Sequence, residues 1–390
     1  MSGKHTKHAR LARPAYGQFH RCEWAIVGTP CGRIKELAFH LIGRLSEQYR
    51  FAYVDADHQA ADAEAAAGRA PRSAMAYGAH LEYTDKINYH RFDLEGELDK
   101  FQYRWWCNEA DVVLVNGNHF PAARQIVVID PKKEASLKKR LSQLTDVQLI
   151  LLADDVQEIF PFLREHLEDV ANIPVLRLSD TARIAEWLGE QLALARPPLY
   201  GLVLAGGRSR RMGRDKGLIN YHGKPQREYS ADLLTHFCEQ TFLSCRPDQV
   251  EALEKESQYP AIADTFAGLG PFGAILSAFR DYPDHAWLVV ATDLPLLDQT
   301  ALAQLVAKRN ISKVATAFYS PVTGFPEPLI AVWEPRSYPI LLQFLAQGYS
   351  CPRKALINSD IELVEAANPE VLKNVNHPEE LAAIRAQLRD

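Results

Sequence analysis

Short apolar runs alternate with longer amphipathic stretches along the whole chain. Apolar runs of about four to eight residues predict buried strands, and apolar positions three and four residues apart predict helices. Their alternation predicts parallel sheets with helices on both faces, an α/β, doubly wound arrangement in each half of the chain. In the second half, strands are predicted near Tyr200–Ala205, Thr241–Ser244, Trp287–Thr292, Lys313–Ala317 and Pro328–Trp333. Helices are predicted at Arg227–Glu239, Phe272–Arg280, Gln299–Lys308, Ile340–Gln347 and Pro378–Leu388.

The chain is long enough for more than one hydrophobic core. A length of 390 residues predicts two domains. The paired prolines Pro197 and Pro198 end a helical stretch and stiffen an extended connector, so we place the boundary there, between domains 22–196 and 197–390. Residues 1–21 contain several Lys and Arg and no acidic residue. A polyanion-binding arm is one interpretation of them, and a flexible, solvated terminus is the one we favour.

Composition narrows the class of protein. Hydrophobic residues make up 47% and charged residues 24% of the chain, as in ordinary globular proteins. No apolar run approaches the roughly 18 residues of a membrane span, and no signal peptide is evident, so we expect a cytoplasmic protein with no membrane partner. A net charge of −5 disfavours a general nucleic-acid binder. The six cysteines are scattered without a C-x-x-C pair, which disfavours structural zinc and a disulfide framework.

The segment Leu204–Gly217 has the clearest functional pattern. It follows an apolar run and begins with Gly206 and Gly207, after which four Arg and Lys216 occur within ten residues. Glycines let a ligand approach the backbone closely, and the cations supply charge for phosphates, so the pattern predicts a nucleoside triphosphate site. A solvated basic turn is the alternative. The order of residues fits neither a Walker A loop nor a dinucleotide-binding loop.

That order resembles the signature of nucleotidyltransferases, and from about Tyr200 onwards the chain resembles the molybdenum cofactor guanylyltransferases. Four further stretches carry this resemblance: Asp264–Ala274, Val289–Pro295, Pro326–Val332 and Asn374–Glu380. The resemblance implies transfer of GMP from GTP to Mo-molybdopterin, with Mg²⁺ as cofactor. The opening Leu-Ala-Gly-Gly favours guanylyl over cytidylyl transfer. Transfer of CMP or another NMP to a pterin or sugar phosphate, and a non-catalytic carrier of the pterin cofactor, remain alternatives.

Candidate site residues follow from the resemblance and from position. Asp293 comes directly after an apolar strand, where a carboxylate reaches the ligand-binding edge of a parallel sheet and suits Mg²⁺, although a turn aspartate is the alternative. The resemblance implies catalytic roles for Lys216, Arg211 and Asp293, and a metal-binding role for Asp293. The residues expected to contact GTP are Leu204, Ala205, Gly206, Gly207, Lys216, Ser244, Asp264 and Asp293.

Three polar residues each have two possible roles. Asp215 could contact the metal, but we favour a role in holding the shape of the loop. Asn374 and Asn376 could touch the pterin substrate or cap the last helix.

The expected partners are GTP and Mo-molybdopterin, together with molybdoenzymes or their chaperones.

The first domain resembles, over about Cys22–Asp130, the GTP-binding adaptor of molybdopterin guanine dinucleotide synthesis. Glu23–Lys35 has the strand–turn–helix pattern of a P-loop, but Arg33, Ile34 and Lys35 stand where a Walker A loop has Gly, Lys and Ser or Thr. A degenerate P-loop without NTP hydrolysis is therefore expected. Asp55, Asp57 and His58 could bind metal, but we favour loop residues.

Overall fold

A computed structural model describes residues 18–56, 74–96, 98, 102–207, 215–375 and 377–387. The chain divides into two compact units, which we call unit 1 (Met1–Ala195) and unit 2 (Arg196–Asp390). In the described part of the chain, no helix is long and apolar enough to cross a membrane.

Unit 1 is an α/β unit. Its strands are β1 (Glu23–Val27), β2 (Phe51–Val54), β3 (Leu81–Asp85), β4 (His90–Leu94), β5 (Val112–Asn116), β6 (Arg124–Ile129), β7 (Val147–Leu152) and β8 (Val175–Arg177). Its described helices are α1 (Cys31–Leu45), α2 (Gln102–Trp106), α3 (Glu134–Lys138), α4 (Pro161–His166) and α5 (Thr181–Leu194).

Six of these strands form one sheet in the order β2-β5-β1-β6-β7-β8, with every pair parallel. β1 and β5 are buried along their whole length, as their apolar runs predict. Apolar residues of α1 and α5, such as Leu41 and Leu188, pack against one face of the sheet. β3 and β4 pair separately as an antiparallel hairpin, an element not predicted from the sequence.

The start of unit 1 differs from the expected arm over residues 1–21. Residues 1–17 lie outside the described residues, but Gln18, Phe19 and His20 are buried. Their backbone N–H groups donate to the carboxylate of Glu23 over 2.7–2.9 Å. Because Glu23 is fully buried, its charge needs these donors to be stabilised. This part of the arm therefore belongs to the fold.

Unit 2 is a second α/β unit. Its strands are β9 (Leu199–Leu204), β10 (Gln240–Cys245), β11 (Ala261–Ala263), β12 (Ala286–Ala291), β13 (Ala315–Ser320), β14 (Phe325–Trp333) and β15 (Glu362–Glu365). Its described helices are α6 (Gln226–Thr235), α7 (Val250–Glu256), α8 (Pro271–Asp281), α9 (Gln299–Ala307), α10 (Ser337–Ala346), α11 (Pro352–Ile357) and α12 (Pro378–Gln387).

The seven strands of unit 2 form one sheet in the order β11-β10-β9-β12-β14-β13-β15. Alternate residues of each strand face opposite cores: Val203 packs in one apolar cluster and Leu202 in the other. Only β14 runs antiparallel to its neighbours, because a turn of four residues joins it to β13, too short for a parallel crossover.

The predicted α/β class with mostly parallel sheets is confirmed for both units. The predicted strands and helices of unit 2 are all present, with ends shifted by a few residues. β13 shows the largest difference among the strands, since it runs over Ala315–Ser320 where Lys313–Ala317 was predicted. The short elements β11, β15, α7 and α11 were not predicted.

Candidate active site

A cavity of about 260 Å³ opens at the carboxyl edge of the unit 2 sheet, where the parallel strands β10, β9 and β12 end side by side. Every predicted nucleotide-binding residue borders it, whereas Arg211 lies outside the described residues. The lining residues are Leu204, Ala205, Gly206, Gly207, Asp215, Lys216, Ser244, Asp264, Gly270, Pro271, Ala274, Ala291, Thr292, Asp293 and Leu329.

The glycine loop is closely packed at its first glycine. A Cβ on Gly206 would lie 3.1 Å from the backbone N of Arg246 and 3.2 Å from Oδ2 of Asp264, so a side chain would force its neighbours to move. A Cβ on Gly207 would meet nothing within 4 Å. Gly206 therefore lets the strand end run directly against β10, and leaves its backbone beside the cavity.

Lys216 and Asp293 come together across the cavity. Nζ of Lys216 lies 3.3 Å from Oδ2 of Asp293. The lysine is placed by a short turn over Lys216–Leu218, and the carboxylate of Asp215 accepts the N–H of Gly217 at 2.9 Å. That contact supports the favoured interpretation of Asp215 as the residue that holds the shape of the loop.

The other carboxylate oxygen of Asp293 makes this residue a candidate metal ligand. Its Oδ1 atom is buried and has no hydrogen-bond partner among the described residues. A buried carboxylate oxygen without a donor is costly unless a cation or solvent satisfies it. The described residues contain no group of three or more metal-binding side chains. Mg²⁺ fits this arrangement, since it commonly takes one or two carboxylates and completes its shell with substrate phosphates and water.

Ser244 and Asp264 form a second polar pair on the opposite side of the glycine loop. The hydroxyl of Ser244 donates to Oδ1 of Asp264 at 2.7 Å. Burial raises the pKa of Asp264 above its ordinary value, although the Ser244 hydrogen bond and the charge of Arg246 act in the opposite direction. This carboxylate is thus held at the cavity wall in an environment where its ionised form is poorly solvated.

Arg246 supports the glycine loop, a role that was not predicted from the sequence. Its guanidinium NH1 donates to the carbonyl oxygen of Gly206 at 2.8 Å, while Nε donates to Asp248 at 3.1 Å. The available signal was its position directly after the strand that ends with Ser244 and Cys245. Gly270, Pro271 and Leu329 also line the cavity without having been singled out.

The C-terminal segment reaches the same strand end. The backbone N–H of Val375 donates to the carbonyl oxygen of Asp293 at 2.8 Å, and Val375 packs with Ile219, Leu381 and Ile384. Asn374 is exposed beside this contact, and Asn376 lies outside the described residues. The hydrogen bond at Val375 anchors the segment at the metal-ligand candidate.

The corresponding edge of the unit 1 sheet has a different chemistry. Gly28 has φ +99°, and a Cβ there would lie 2.3 Å from the carbonyl oxygen of Val128, so the turn requires glycine. Thr29 Oγ1 donates to Oδ2 of Asp130 at 2.7 Å, and Arg33 lies 3.6 Å from the same oxygen. The basic and hydroxyl groups beside the turn thus already face a buried carboxylate.

Of the residues of unit 1 considered as metal ligands, Asp55 accepts hydrogen bonds from Tyr53 and Asn116, while Asp57 and His58 lie outside the described residues.

Comparison with known proteins assigns unit 2 to a class. The family model described as MobA-like NTP transferase domain matches residues 201–366. Unit 2 is therefore a nucleotidyltransferase, and the cavity at its sheet edge is the candidate active site.

Curated relatives narrow the class to a family. A molybdenum cofactor guanylyltransferase of Pseudomonas putida is 32% identical over 200 residues, which cover 48% of this chain and 97% of the relative. The chain belongs to this family. A molybdenum cofactor biosynthesis bifunctional protein of Synechocystis is 38% identical over 202 residues, 52% of this chain, and the match spans 58% of that relative's length. A solved structure of molybdopterin-guanine dinucleotide biosynthesis protein A from Archaeoglobus fulgidus is 23% identical, with a TM-score of 0.43, and the match covers 49% of this chain and 98% of that one.

Proposed function

We propose that unit 2 transfers GMP from GTP to Mo-molybdopterin, forming molybdopterin guanine dinucleotide and releasing pyrophosphate. The observation that carries the proposal is the meeting of Lys216 and Asp293 across a cavity bounded by the Gly206 loop. Transfer of a nucleotidyl group needs a cation, a carboxylate that can bind a metal ion, and exposed backbone groups. The relatives that share this half of the chain are named for guanylyl transfer.

The chemistry is an in-line displacement at the α-phosphorus of GTP. The terminal phosphate of molybdopterin forms the new P–O bond, the bond between the α-phosphorus and the bridging oxygen breaks, and pyrophosphate leaves. Because a phosphate monoester is largely ionised at neutral pH, no general base is needed. Lys216 would neutralise charge on the triphosphate, and the backbone N–H groups of the glycine loop would donate to it. Mg²⁺ held by Asp293 would supply further positive charge to the phosphates and the leaving pyrophosphate.

The remaining cavity residues have proposed binding roles. Leu204, Ala205, Gly206 and Gly207 would offer backbone groups to the guanine and phosphates, and Ser244 and Asp264 would contact the nucleotide from the β10 side. Arg211 would assist Lys216. Asn374, which directly precedes the anchored Val375, would contact the pterin substrate.

The first test separates GTP from other nucleotides. Thermal unfolding is followed with GTP, CTP, ATP and UTP, each with Mg²⁺, since a ligand at 100 times its Kd adds about 2.7 kcal/mol of stability. We expect the largest shift with GTP. A larger shift with CTP would support cytidylyl transfer instead. Release of pyrophosphate from GTP that depends on added Mo-molybdopterin would establish the reaction, and GTP binding without any turnover would favour a carrier of the pterin.

We also propose that unit 1 is an adaptor-like domain with a degenerate P-loop that holds the pterin or a molybdoenzyme partner. This proposal is supported by the carboxylate of Asp130, which already pairs with Thr29 and Arg33. A bound phosphate would need such donors to be free. Joining a substrate-holding domain to a transferase raises the effective substrate concentration. The test is GTP hydrolysis by full-length protein carrying Asp293→Asn, which disables unit 2. Mg²⁺-dependent GTP hydrolysis in that variant would contradict the proposal for unit 1.

A further inference from the structure

The two charged residues that meet in the unit 2 cavity lie on separate loops. Lys216 begins the short turn Lys216–Leu218, and Asp293 lies just beyond β12. A lysine side chain is long and flexible, so its contact with Asp293 does not by itself fix the distance between the two loops. Group transfer is sensitive to that distance, because a misplacement of about 1 Å can slow a reaction about 100-fold. The backbone around both residues must therefore be held in place.

A histidine joins the two stretches of chain that carry these residues. We call residues 216–229 the lysine segment and residues 293–297 the aspartate segment. Nε2 of His222, in the lysine segment, lies 2.8 Å from the carbonyl oxygen of Pro295, in the aspartate segment. Because a carbonyl oxygen can only accept, Nε2 must carry a proton and donate it. A hydrogen bond of good length thus connects the two segments.

The imidazole of His222 is held in the orientation from which it donates. Its ring stacks on that of Tyr229, with ring centroids 3.7 Å apart and planes inclined by 13°. The chain reverses between the two rings at Gly223, where φ is +81°, and α6 then carries Tyr229 back over the imidazole. A donor that is already oriented loses little further side-chain entropy when it binds its acceptor. The stacked ring therefore makes the bond to Pro295 an effective constraint.

Two further contacts between the segments are longer. The side-chain amide of Gln226 donates to the carbonyl oxygen of Leu294, and the hydroxyl of Tyr229 donates to that of Leu297, each at 3.4 Å. A hydrogen bond of this length is weak beside one of 2.8 Å. Of these three contacts, the one made by His222 therefore contributes most to holding the segments together.

We infer that His222 is a positioning residue for the GMP transfer proposed above, on which this inference rests. By donating to the Pro295 carbonyl, it holds the lysine segment against the aspartate segment. The ammonium of Lys216 and the carboxylate of Asp293 are then kept at one separation, so that both act on the same phosphates. His222 does not line the cavity, and it therefore acts through these two residues and does not touch the substrate.

Two substitutions separate the hydrogen bond from the ring. His222→Phe keeps a ring that can stack on Tyr229 but removes the donor. His222→Gln removes the ring, but its amide nitrogen can take the place of Nε2 and donate to Pro295. His236→Phe is the matched control, because it makes the same change at an exposed position directly after α6 and outside the cavity. If His222→Phe does not fold, His222→Asn replaces it, since the shorter amide cannot reach Pro295.

The experiment measures pyrophosphate release by the full-length protein with varied GTP, at saturating Mg²⁺ and Mo-molybdopterin, per mole of folded protein. We expect kcat of His222→Phe to fall by about tenfold, because the two charges lose their alignment. KM for GTP should change by less than about threefold, since a flexible lysine still reaches the triphosphate. His222→Gln and His236→Phe should keep kcat within about threefold of the unsubstituted protein. A role in folding alone would change the amount of folded protein and leave kcat unaltered.

The possible outcomes separate this inference from the proposed function. If the unsubstituted protein releases no pyrophosphate, the proposed transfer is wrong, and the role of His222 in it is wrong as well. If the unsubstituted protein is active and folded His222→Phe has the same kcat as His236→Phe, only the inference is overturned. An equal loss of kcat in His222→Gln would also overturn it, because the ring and not the hydrogen bond would then be responsible.

Discussion

Oδ2 of Asp293 lies 3.3 Å from Nζ of Lys216, although 77 residues separate them in the chain. The same carboxylate leaves Oδ1 buried and without a hydrogen-bond partner among the described residues. One oxygen thus holds the cation proposed to bind the triphosphate, and the other is available to a metal ion. The contact with Lys216 and the proposed contact with a metal ion give the proposed site its first two tests.

Asp293→Asn keeps the shape of the side chain but removes its charge. We expect guanylyl transfer to fall by about two orders of magnitude or more, because the charge that positions the metal at the phosphates is lost. Pyrophosphate release at saturating GTP and Mg²⁺ measures the effect. Asp298→Asn is the matched control: it makes the same change five residues further on, at a helix N-cap that asparagine also serves, and outside the cavity. Equal activity of the two variants would refute the role of Asp293.

Lys216→Ala removes the cation at the cavity. We expect weaker GTP binding and slower transfer, each by about tenfold or more, since an ammonium facing phosphates in a partly dry site contributes strongly. Lys224→Ala is the control, because Lys224 pairs with Asp232 on the surface and does not line the cavity. Steady-state kinetics with varied GTP separates KM from kcat. If both substitutions reduce activity to the same extent, the lysines act only as a diffuse positive field.

Asp264→Asn is expected to gain stability and to lose affinity for GTP. Burial raises the pKa of Asp264 above its ordinary value of 3.8, so its ionisation opposes folding at neutral pH. Below the ordinary value the carboxyl is protonated in both the folded and the unfolded state, and the penalty vanishes. We therefore expect Asp264→Asn to raise Tm near pH 7, to lose this advantage as the pH falls towards about 4, and to weaken GTP binding. Thermal unfolding across this pH range checks it; a lower Tm of the variant at pH 7 would contradict the expectation.

The sequence could predict which residues border the unit 2 cavity for a simple geometric reason. Parallel strands place their carboxyl ends at one sheet edge, so a glycine loop after β9 and an aspartate after β12 must lie near each other. The same argument brings Ser244 to the edge at the end of β10. No knowledge of side-chain conformation is needed for this step.

What the sequence could not predict depends on side-chain direction or on very short elements. The contact between Arg246 and the Gly206 carbonyl follows from where a flexible guanidinium turns after the strand end. Leu329 reaches the cavity because β14 enters the sheet antiparallel between β12 and β13, an order that periodicity does not encode. The strands β11 and β15 have three and four residues, too few for a pattern, and are defined by pairing with longer neighbours.

The last prediction concerns the buried ion pair that fastens the start of unit 2. Arg309 and Glu334 meet through two hydrogen bonds of 2.6 and 2.9 Å, and their side chains are 8% and 1% exposed. Arg309 also donates to the carbonyl oxygen of Pro197 at 2.9 Å. Arg309→Met leaves a buried carboxylate without its partner, so we expect the free energy of unfolding to fall by about 3–5 kcal/mol.

A second variant tests whether that loss comes from the orphaned charge. Arg309→Met combined with Glu334→Leu removes both charges, and we expect it to regain most of the lost stability, because neither member of the pair then remains buried alone. Lys255→Met breaks the exposed pair with Glu251, whose side chains are 72% and 86% exposed, and should cost less than about 1 kcal/mol. Hydrogen exchange of peptides from β12 and β14 under increasing urea reports unit 2 separately. If the double variant is as unstable as Arg309→Met, the loss arises from the contact with Pro197 and from packing, and the ion pair does not account for it.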